Sequence, residues 1–262
     1  MGMRLVTLVE DTSCCNLPAE HGLSIYIETG KHKVLFDVGT TDLFVRNARE
    51  LGIDLSQVDT VVISHGHDDH GGGLDAFLAV NDKAVIYLQA SAFLNHYTNK
   101  KTGPEYIGLN QKLKDHPQVR LLDGSYVIDD ELQIFSHVQG VPYETNKNLL
   151  KEDYERDDFV HEQHLVVSAE GKNVLLMGCG HKGVLNIIGQ CPVSPDVVIG
   201  GFHLYSPRTG ETLPEEIIMD LVHGLPDAVY YTGHCTGDKA LAILNRELRA
   251  IYPLQTGTVI NV

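Results

Sequence analysis

No run of about 18 apolar residues occurs anywhere in the 262-residue chain, so no transmembrane helix is expected. Basic residues are scarce: 20 Lys and Arg stand against 35 Asp and Glu, a formal charge of −15. That deficit argues against a sequence-independent nucleic-acid binder, which needs a Lys/Arg surplus to displace phosphate counterions. It also argues against an anionic membrane surface as partner. The five cysteines, Cys14, Cys15, Cys179, Cys191 and Cys235, are odd in number and contain no CxxC pair. No disulfide framework is expected on that ground, and the pattern argues against a structural zinc ribbon. Glu10 arrives too early in the N-terminal stretch for a secretory apolar region. The expectation is a cytoplasmic protein whose first strand is Arg4–Val9.

Hydrophobic residues make up 43% of the chain, enough for a substantial core. With no low-complexity linker and no shift in composition, one domain over residues 1–262 is expected. The apolar runs are short, rich in β-branched residues and terminated by Gly, Asp or His. They predict strands at Arg4–Val9, Ser24–Glu28, Lys33–Asp37, Thr60–Ser64, Ala84–Gln89, Val119–Leu122, Leu132–Ser136, His164–Ser168, Asn173–Met177, Val197–Gly200 and Ala228–Thr232. Helical spacing marks Thr41–Leu51, Val184–Ile188, Pro214–Leu221 and Lys239–Ala250, with hairpin turns at Lys31–Lys33 and Glu170–Lys172. Interleaved strands and helices fit a layered α/β domain with mixed sheets. The two halves look alike: Lys33–Gly39, a helix and Val58–His65 are matched by Asn173–Gly178, a helix and Pro195–His203. The polar segment Pro142–Gln163 reads as a long functional or mobile loop.

Histidine is the abundant chemistry-bearing residue, with fourteen in the chain. The strongest signal is Thr60-Val61-Val62-Ile63-Ser64-His65-Gly66-His67-Asp68-Asp69-His70-Gly71-Gly72-Gly73-Leu74, where a buried strand runs into three histidines and two aspartates within six residues. Imidazole and carboxylate together suit zinc, iron or manganese. His65 and His67, two apart on an extended segment, can grip one metal, and Asp69 and His70 a second. The glycines allow a tight turn before a helix beginning near Leu74. His181, His203 and His234 each follow a predicted strand, as a site built between sheet termini requires. The alternative reading of each strand-end histidine is a hydrogen-bonded structural residue.

The HxHxDH pattern after a hydrophobic strand resembles the signature of the metallo-β-lactamase superfamily, with His65, His67, Asp69 and His70 matching position for position. Leu35-Phe36-Asp37-Val38-Gly39 is similar to the family's strand ending in Asp-x-Gly. Glu10-Asp11-Thr12, Gly178-Cys179-Gly180-His181, Gly200-Gly201-Phe202-His203-Leu204 and Thr232-Gly233-His234-Cys235-Thr236-Gly237 resemble the branch containing the dihydropterin ribofuranosyl-aminobenzene phosphate synthases. The resemblance implies a four-layer αβ/βα sandwich of two mixed sheets with a two-metal site at one edge. It assigns His234 to the metal held by Asp69 and His70, and His181 completes the shell of His65 and His67. Two divalent ions are implied, zinc first, with iron or manganese as alternatives. Asp69 would also orient the reacting water, and His203 would touch a substrate anion or oxyanion.

One departure stands out: Cys179 occupies the place where hydrolytic members carry a metal-bridging aspartate. Whether it binds metal is left open, as it is for His161 and Glu162. Asp68 reads as a supporting or surface residue, and Asp37 as a structural one. Substrate contacts are expected from Thr12–Leu17, from Phe93–Ile107 with Phe93, His96, Tyr97 and Tyr106, and from Tyr143–Phe159 with Tyr143 and Tyr154. The run Gly180–Gly183 offers backbone N–H groups to an anion. The leading expectation is a metal-dependent, hydrolase-like enzyme acting on a small anionic substrate, a pterin or phosphate-bearing compound, with a synthase-type transferase as a variant. The alternative is a metal-containing ligand-binding or redox protein on the same fold; a scaffold without metal is a third. A small molecule is the expected partner, with no nucleic acid or membrane, and a homo-oligomer is compatible.

Overall fold

Period-two alternation sends the residues of each central strand into two different interiors. In the computed structural model, which describes residues 2–262, Val34 and Phe36 of strand Lys33–Phe36 enter a core between two sheets. Leu35 enters a separate core beneath helices Leu43–Glu50 and Leu74–Leu78. Strand Lys172–Leu176 divides the same way. Val174 and Leu176 face the inter-sheet core, while Leu175 packs beneath helices Val184–Gly189, Glu215–Gly224 and Asp238–Glu247. Strands covered on both faces need continuous apolar sequence, which is why these runs lack polar alternation. The result is helix, sheet, sheet, helix: the expected αβ/βα sandwich.

Each sheet has seven strands. The first runs Val259–Asn261, Arg4–Val9, Ser24–Glu28, Lys33–Phe36, Thr60–Val62, Val85–Gln89, Val119–Leu122. The second runs Ile251–Pro253, Val229–Thr232, Val197–Ile199, Lys172–Leu176, Gln163–Ala169, Leu132–Ser136, Tyr126–Val127. In both, an antiparallel hairpin feeds a parallel βαβ step, so the likeness of the two halves is structural. The second hairpin turns through Glu170 and Gly171, both at positive φ, as a two-residue turn that keeps the strand twist requires.

The strands before the histidine cluster are shorter than expected. Lys33–Phe36 stops before Asp37, which adopts φ 56°, and Thr60–Val62 releases the chain two residues early. Asp68–Gly71 then forms a single helical turn ahead of Leu74–Leu78. Gly72 is required there by close approach, since a Cβ on it would stand 2.6 Å from the Thr40 carbonyl oxygen.

The segments expected to be irregular contain a third sheet. Tyr97–Lys100 and Gly103–Tyr106 form a hairpin, and Leu149–Leu150 adds to its edge. Its strands expose Asn99, Pro104 and Glu105 and bury little beyond Thr98, so they carry no apolar pattern to read. Among the described residues no helix is long and apolar enough to cross a membrane.

Candidate metal centre

The chain leaves five strands toward one edge of the sandwich: after Phe36 to Asp37, after Val62 to His65, after Leu176 to Cys179, after Ile199 to His203 and after Thr232 to His234. The carboxyl ends of parallel strands are where layered α/β sheets place their ligand sites. At this edge each of four histidines has its Nδ1 tied to a neighbour. Asp37, fully buried, accepts from Ser64 N at 2.6 Å, Ser64 Oγ at 2.7 Å and His70 Nδ1 at 2.7 Å. With its proton given to Asp37, Ser64 Oγ accepts from His65 Nδ1 at 2.8 Å. His181 Nδ1 donates to Asn146 Oδ1 at 2.6 Å, and His234 Nδ1 to Asp11 Oδ1 at 2.7 Å. Fixing the proton on Nδ1 turns Nε2 inward, which is how protein acceptors prepare an imidazole for a cation.

The inward atoms meet. His65 Nε2 lies 3.3 Å from His181 Nε2, His70 Nε2 is 3.2 Å from Cys179 Sγ, and His234 Nε2 is 3.2 Å from Asp69 Oδ2. Asp69, His70, Cys179 and His234 form one set with ligand atoms within 4.8 Å of one another; His65, Cys179 and His181 form a second, and His65, His67 and Asp69 a third. Buried His67 Nε2 has no hydrogen-bond partner. Two buried imidazole nitrogens facing each other, an unpartnered third and a carboxylate among them form a donor set that fits divalent cations. All six histidine and aspartate residues expected as ligands are brought together, and Cys179 belongs to two of the sets.

Burial pushes His65, His67 and His181 well below the ordinary histidine value, helped by mutual repulsion among the rings, so they stand neutral with lone pairs free. His203 falls to about 3 for the same reason, burial. Burial also works against the Asp69 charge, but His70 and His234 outweigh it and hold the carboxyl well below its usual range. His234 is the opposite case. Desolvation opposes its charge, yet Asp11 and Asp69 on its two nitrogens raise it well above 6.5. A divalent ion at Nε2 would displace that proton. Burial pushes the Cys179 thiol up, with Cys235 beside it adding to the rise.

Residues outside the motif hold this arrangement. Glu10, raised to about 7 by burial, accepts from the backbone N–H groups of Thr12 and His234. His21 donates to Asp11 at 3.0 Å and stacks on His234 with ring centroids 4.6 Å apart. Gly178 is where the two halves touch: a Cβ there would stand 2.8 Å from Ser64 Cβ and 2.9 Å from His65 Nδ1. Asn146 and His21 went unrecognised as site residues because a lone polar residue in a loop carries no pattern, and Ser64 and Asp11, though inside the motifs, carry no mark of the imidazoles they face.

Two residues whose metal binding the sequence leaves open have other partners in the structure. Glu162 is turned away from the donor sets: its carboxylate accepts from His181 N at 2.7 Å and Lys182 N at 3.1 Å. Those amides belong to the Gly180–Gly183 run expected to bind a substrate anion, so the chain's own carboxylate already fills that role. His161 accepts from Gly66 N at 2.9 Å through Nδ1 and faces Asp157 at 3.2 Å through Nε2, and with His67, His96 and Asp157 it forms a further buried set whose ligand atoms lie within 4.8 Å of one another. It braces the peptide between His65 and His67. His96 donates to the same Asp157 oxygen at 3.0 Å.

A cavity of about 520 Å³ opens over the donor sets. His67, Asp68, Asp69, Cys179, His181, His203 and His234 line its floor, and Thr98, Tyr106, Ile107, Leu149 and Arg208 its walls. Of the aromatics expected to meet substrate, only Tyr106 lines it. Phe93 is buried in the first helix–sheet core, His96 is spent on Asp157, and Tyr97, Tyr143, Tyr154 and Thr12–Leu17 lie outside the lining. Glu20, His21 and Thr40 line it instead from the N-terminal side. His203 reaches it from a left-handed backbone position, φ 47°, with Nδ1 3.3 Å from Thr145 Oγ1.

The family profile of the metallo-β-lactamase superfamily matches residues 17–145. A crystal structure described as a metal-dependent hydrolase of the β-lactamase superfamily superposes with a TM-score of 0.82 at 29% identity, covering 99% of each chain. Two proteins of Methanocaldococcus jannaschii align along almost their full length. An uncharacterized protein is 26% identical over 94% of this chain and 95% of its own. The 7,8-dihydropterin-6-methyl-4-(β-D-ribofuranosyl)-aminobenzene-5'-phosphate synthase is 27% identical over 98% of this chain and 96% of its own.

Proposed function

From the premise that this chain belongs to the metallo-β-lactamase superfamily, we propose that it is a metal-dependent, hydrolase-like enzyme acting on a small anionic substrate. The observation that carries the proposal is the inward convergence of the His65, His70, His181 and His234 Nε2 atoms around Asp69 and Cys179. In this reading His65, His67 and His181 hold one divalent ion, zinc first among the candidates, and Asp69, His70 and His234 hold the second. Such ions would lower the pKa of a water and polarise an ester, lactone, amide or phosphoryl oxygen.

The chain's own residues have separate tasks. Asp37, Ser64, Asn146 and Asp11 fix the imidazoles in the tautomer that presents Nε2. Asp69, on the cavity floor, accepts a hydrogen bond from the attacking water and orients it. His203, neutral through burial, meets the developing charge on substrate from the same floor. The synthase relative is named for a phosphate-bearing dihydropterin compound, which makes pterin phosphates the first substrates to try, in hydrolysis and in transfer.

The proposal is tested by metal analysis of the wild-type protein and of His65→Ala and His70→Ala, with turnover on an ester and phosphodiester panel. Loss of metal and activity together is expected; full metal content in both variants refutes the ligand assignment. Cys179 favours one second reading, because a thiol in two donor sets is unlike the carboxylate of a simple hydrolytic centre. That reading, a redox or ligand-binding protein, expects two irons, a redox-active spectrum and no turnover on the panel.

A further inference from the structure

The cavity over the donor sets contains one lysine or arginine among its lining residues, Arg208, on the turn between the short strands Tyr205–Ser206 and Glu211–Thr212. A guanidinium at a cavity wall is either consumed by neighbours or available to a ligand, and its hydrogen bonds separate the two cases. Arg208 Nε donates to Thr98 Oγ1 at 3.0 Å, and Thr98 is only 2% exposed, so the stem of the fork is anchored on a buried acceptor. Nη2 stands 3.7 Å from Glu105 Oε2, longer than a hydrogen bond, and Glu105 is itself paired with Lys100. No residue among those described engages Nη1. The end of the fork therefore keeps its paired N–H donors, the arrangement that grips a carboxylate or phosphoryl group through two parallel bonds.

The surrounding charges are compatible with an incoming anion. Four carboxylates line the cavity: Asp69 is paired with His234, Glu105 with Lys100, and Glu20 is spent on Thr41 N at 3.0 Å and Thr41 Oγ1 at 2.7 Å, which leaves Asp68 on the floor. Beside Thr98 and Glu105, which engage Arg208, the wall residues are apolar or aromatic: Tyr106, Ile107, Leu149 and Pro207. We propose that Arg208 is the anchor for an oxyanion carried at the end of the substrate remote from the reacting group, with an apolar or aromatic body lying against Tyr106, Ile107 and Leu149. The placing of the reacting end rests on the metal-dependent reading above; the oxyanion subsite itself rests on Arg208, Thr98 and Glu105.

The test is calorimetric binding of phenyl phosphate, benzoate and neutral benzyl alcohol to the metal-loaded protein. Arg208→Ala weakens phenyl phosphate, benzoate or both by about tenfold or more, with benzyl alcohol and metal content unchanged. The anion that responds more strongly identifies the oxyanion as phosphoryl or carboxylate. Arg208→Lys recovers part of the loss, and Glu105→Gln, which removes the competing carboxylate, tightens the same anion. Failure of both anions to bind at millimolar concentration, or equal affinity in wild type and Arg208→Ala, overturns the proposal. Should Arg208→Ala not fold, unchanged anion affinity in Glu105→Gln overturns it alone. Full metal content in His65→Ala and His70→Ala beside an intact Arg208 effect would remove the hydrolase reading and leave the subsite standing.

Discussion

Replacing Asp37 by asparagine changes one heavy atom at a position that touches no substrate, yet it should strip the centre of metal. Asp37 accepts three hydrogen bonds, from Ser64 N, Ser64 Oγ and His70 Nδ1. The amide oxygen of the replacement can keep the bond from Ser64 N. Its nitrogen then stands where Oδ2 received both the serine hydroxyl and the imidazole, and it can only donate. His70 must move its proton to Nε2, the atom aimed at Cys179 and Asp69. Ser64 Oγ, now accepting from the introduced amide, turns its own proton to His65 Nδ1, so His65 must also protonate Nε2. One ligand is lost from each donor set. Losing the acceptor behind a metal-binding imidazole costs about 10–100-fold in metal affinity, and here two imidazoles are affected.

Asp37 has φ 56°, a conformation asparagine adopts as easily as aspartate, so the backbone should be unaffected. The stability cost is then that of one charge-assisted bond, about 1.5–3 kcal/mol. Asp37→Ala is the contrast. It orphans three buried donors at about 1–3 kcal/mol each and adds left-handed strain, so it should be the less stable variant by denaturant midpoint. The assay is metal content by mass spectrometry across a chelator series, alongside urea unfolding of the metal-free protein. An Asp37→Asn protein that retains wild-type metal content and affinity would refute the tautomer argument.

Two other outcomes follow from geometry away from the ligands. Gly178→Ala drives a Cβ into the Ser64 hydroxyl, which is held by Asp37, and to within 2.8 Å of Ser64 Cβ and 2.9 Å of His65 Nδ1, so the variant should lose about 1–3 kcal/mol of stability. Its melting temperature and metal content should fall together, and a variant unchanged in both would show that the halves are not in contact there. His32 sits between Asp129 at 2.6 Å and Asp59 at 3.0 Å. Burial disfavours its charge, but those two carboxylates outweigh it and raise the ring above 6.5. Stabilisation from a raised histidine is complete below the unfolded value and fades as pH climbs through the folded one. The urea-midpoint gap between wild type and His32→Gln should be wide near about pH 6 and closed near about pH 9; an equal gap at both would contradict the pairing.

The fold was readable because its physics repeats along the chain: strands buried on both faces show as unbroken β-branched runs, and Lys33–Phe36 and Lys172–Leu176 announce themselves in that way. The histidine cluster was readable because His65, His67, Asp69 and His70 are contiguous, and His181 and His234 because each leaves a strand through a glycine turn. Of the groups that orient those rings only Asp37, read as a structural residue, was readable. Asn146 reaches His181 across 35 positions and Asp11 reaches His234 across 223, and a single acceptor in a polar loop looks like any other. The same blindness explains Gly180–Gly183. Amides at the head of a helix announce an anion site, but only the folded chain reveals that two of them are taken by its own Glu162 carboxyl. It also explains the third sheet, which buries too little to pattern its sequence, and Arg208, carried on the turn between two-residue strands. Ligand atoms must cluster, whereas the acceptors and counter-charges that decide their protonation come from whichever loop passes close. Sequence therefore announces that imidazoles gather here, and tertiary structure determines which nitrogen of each one is free.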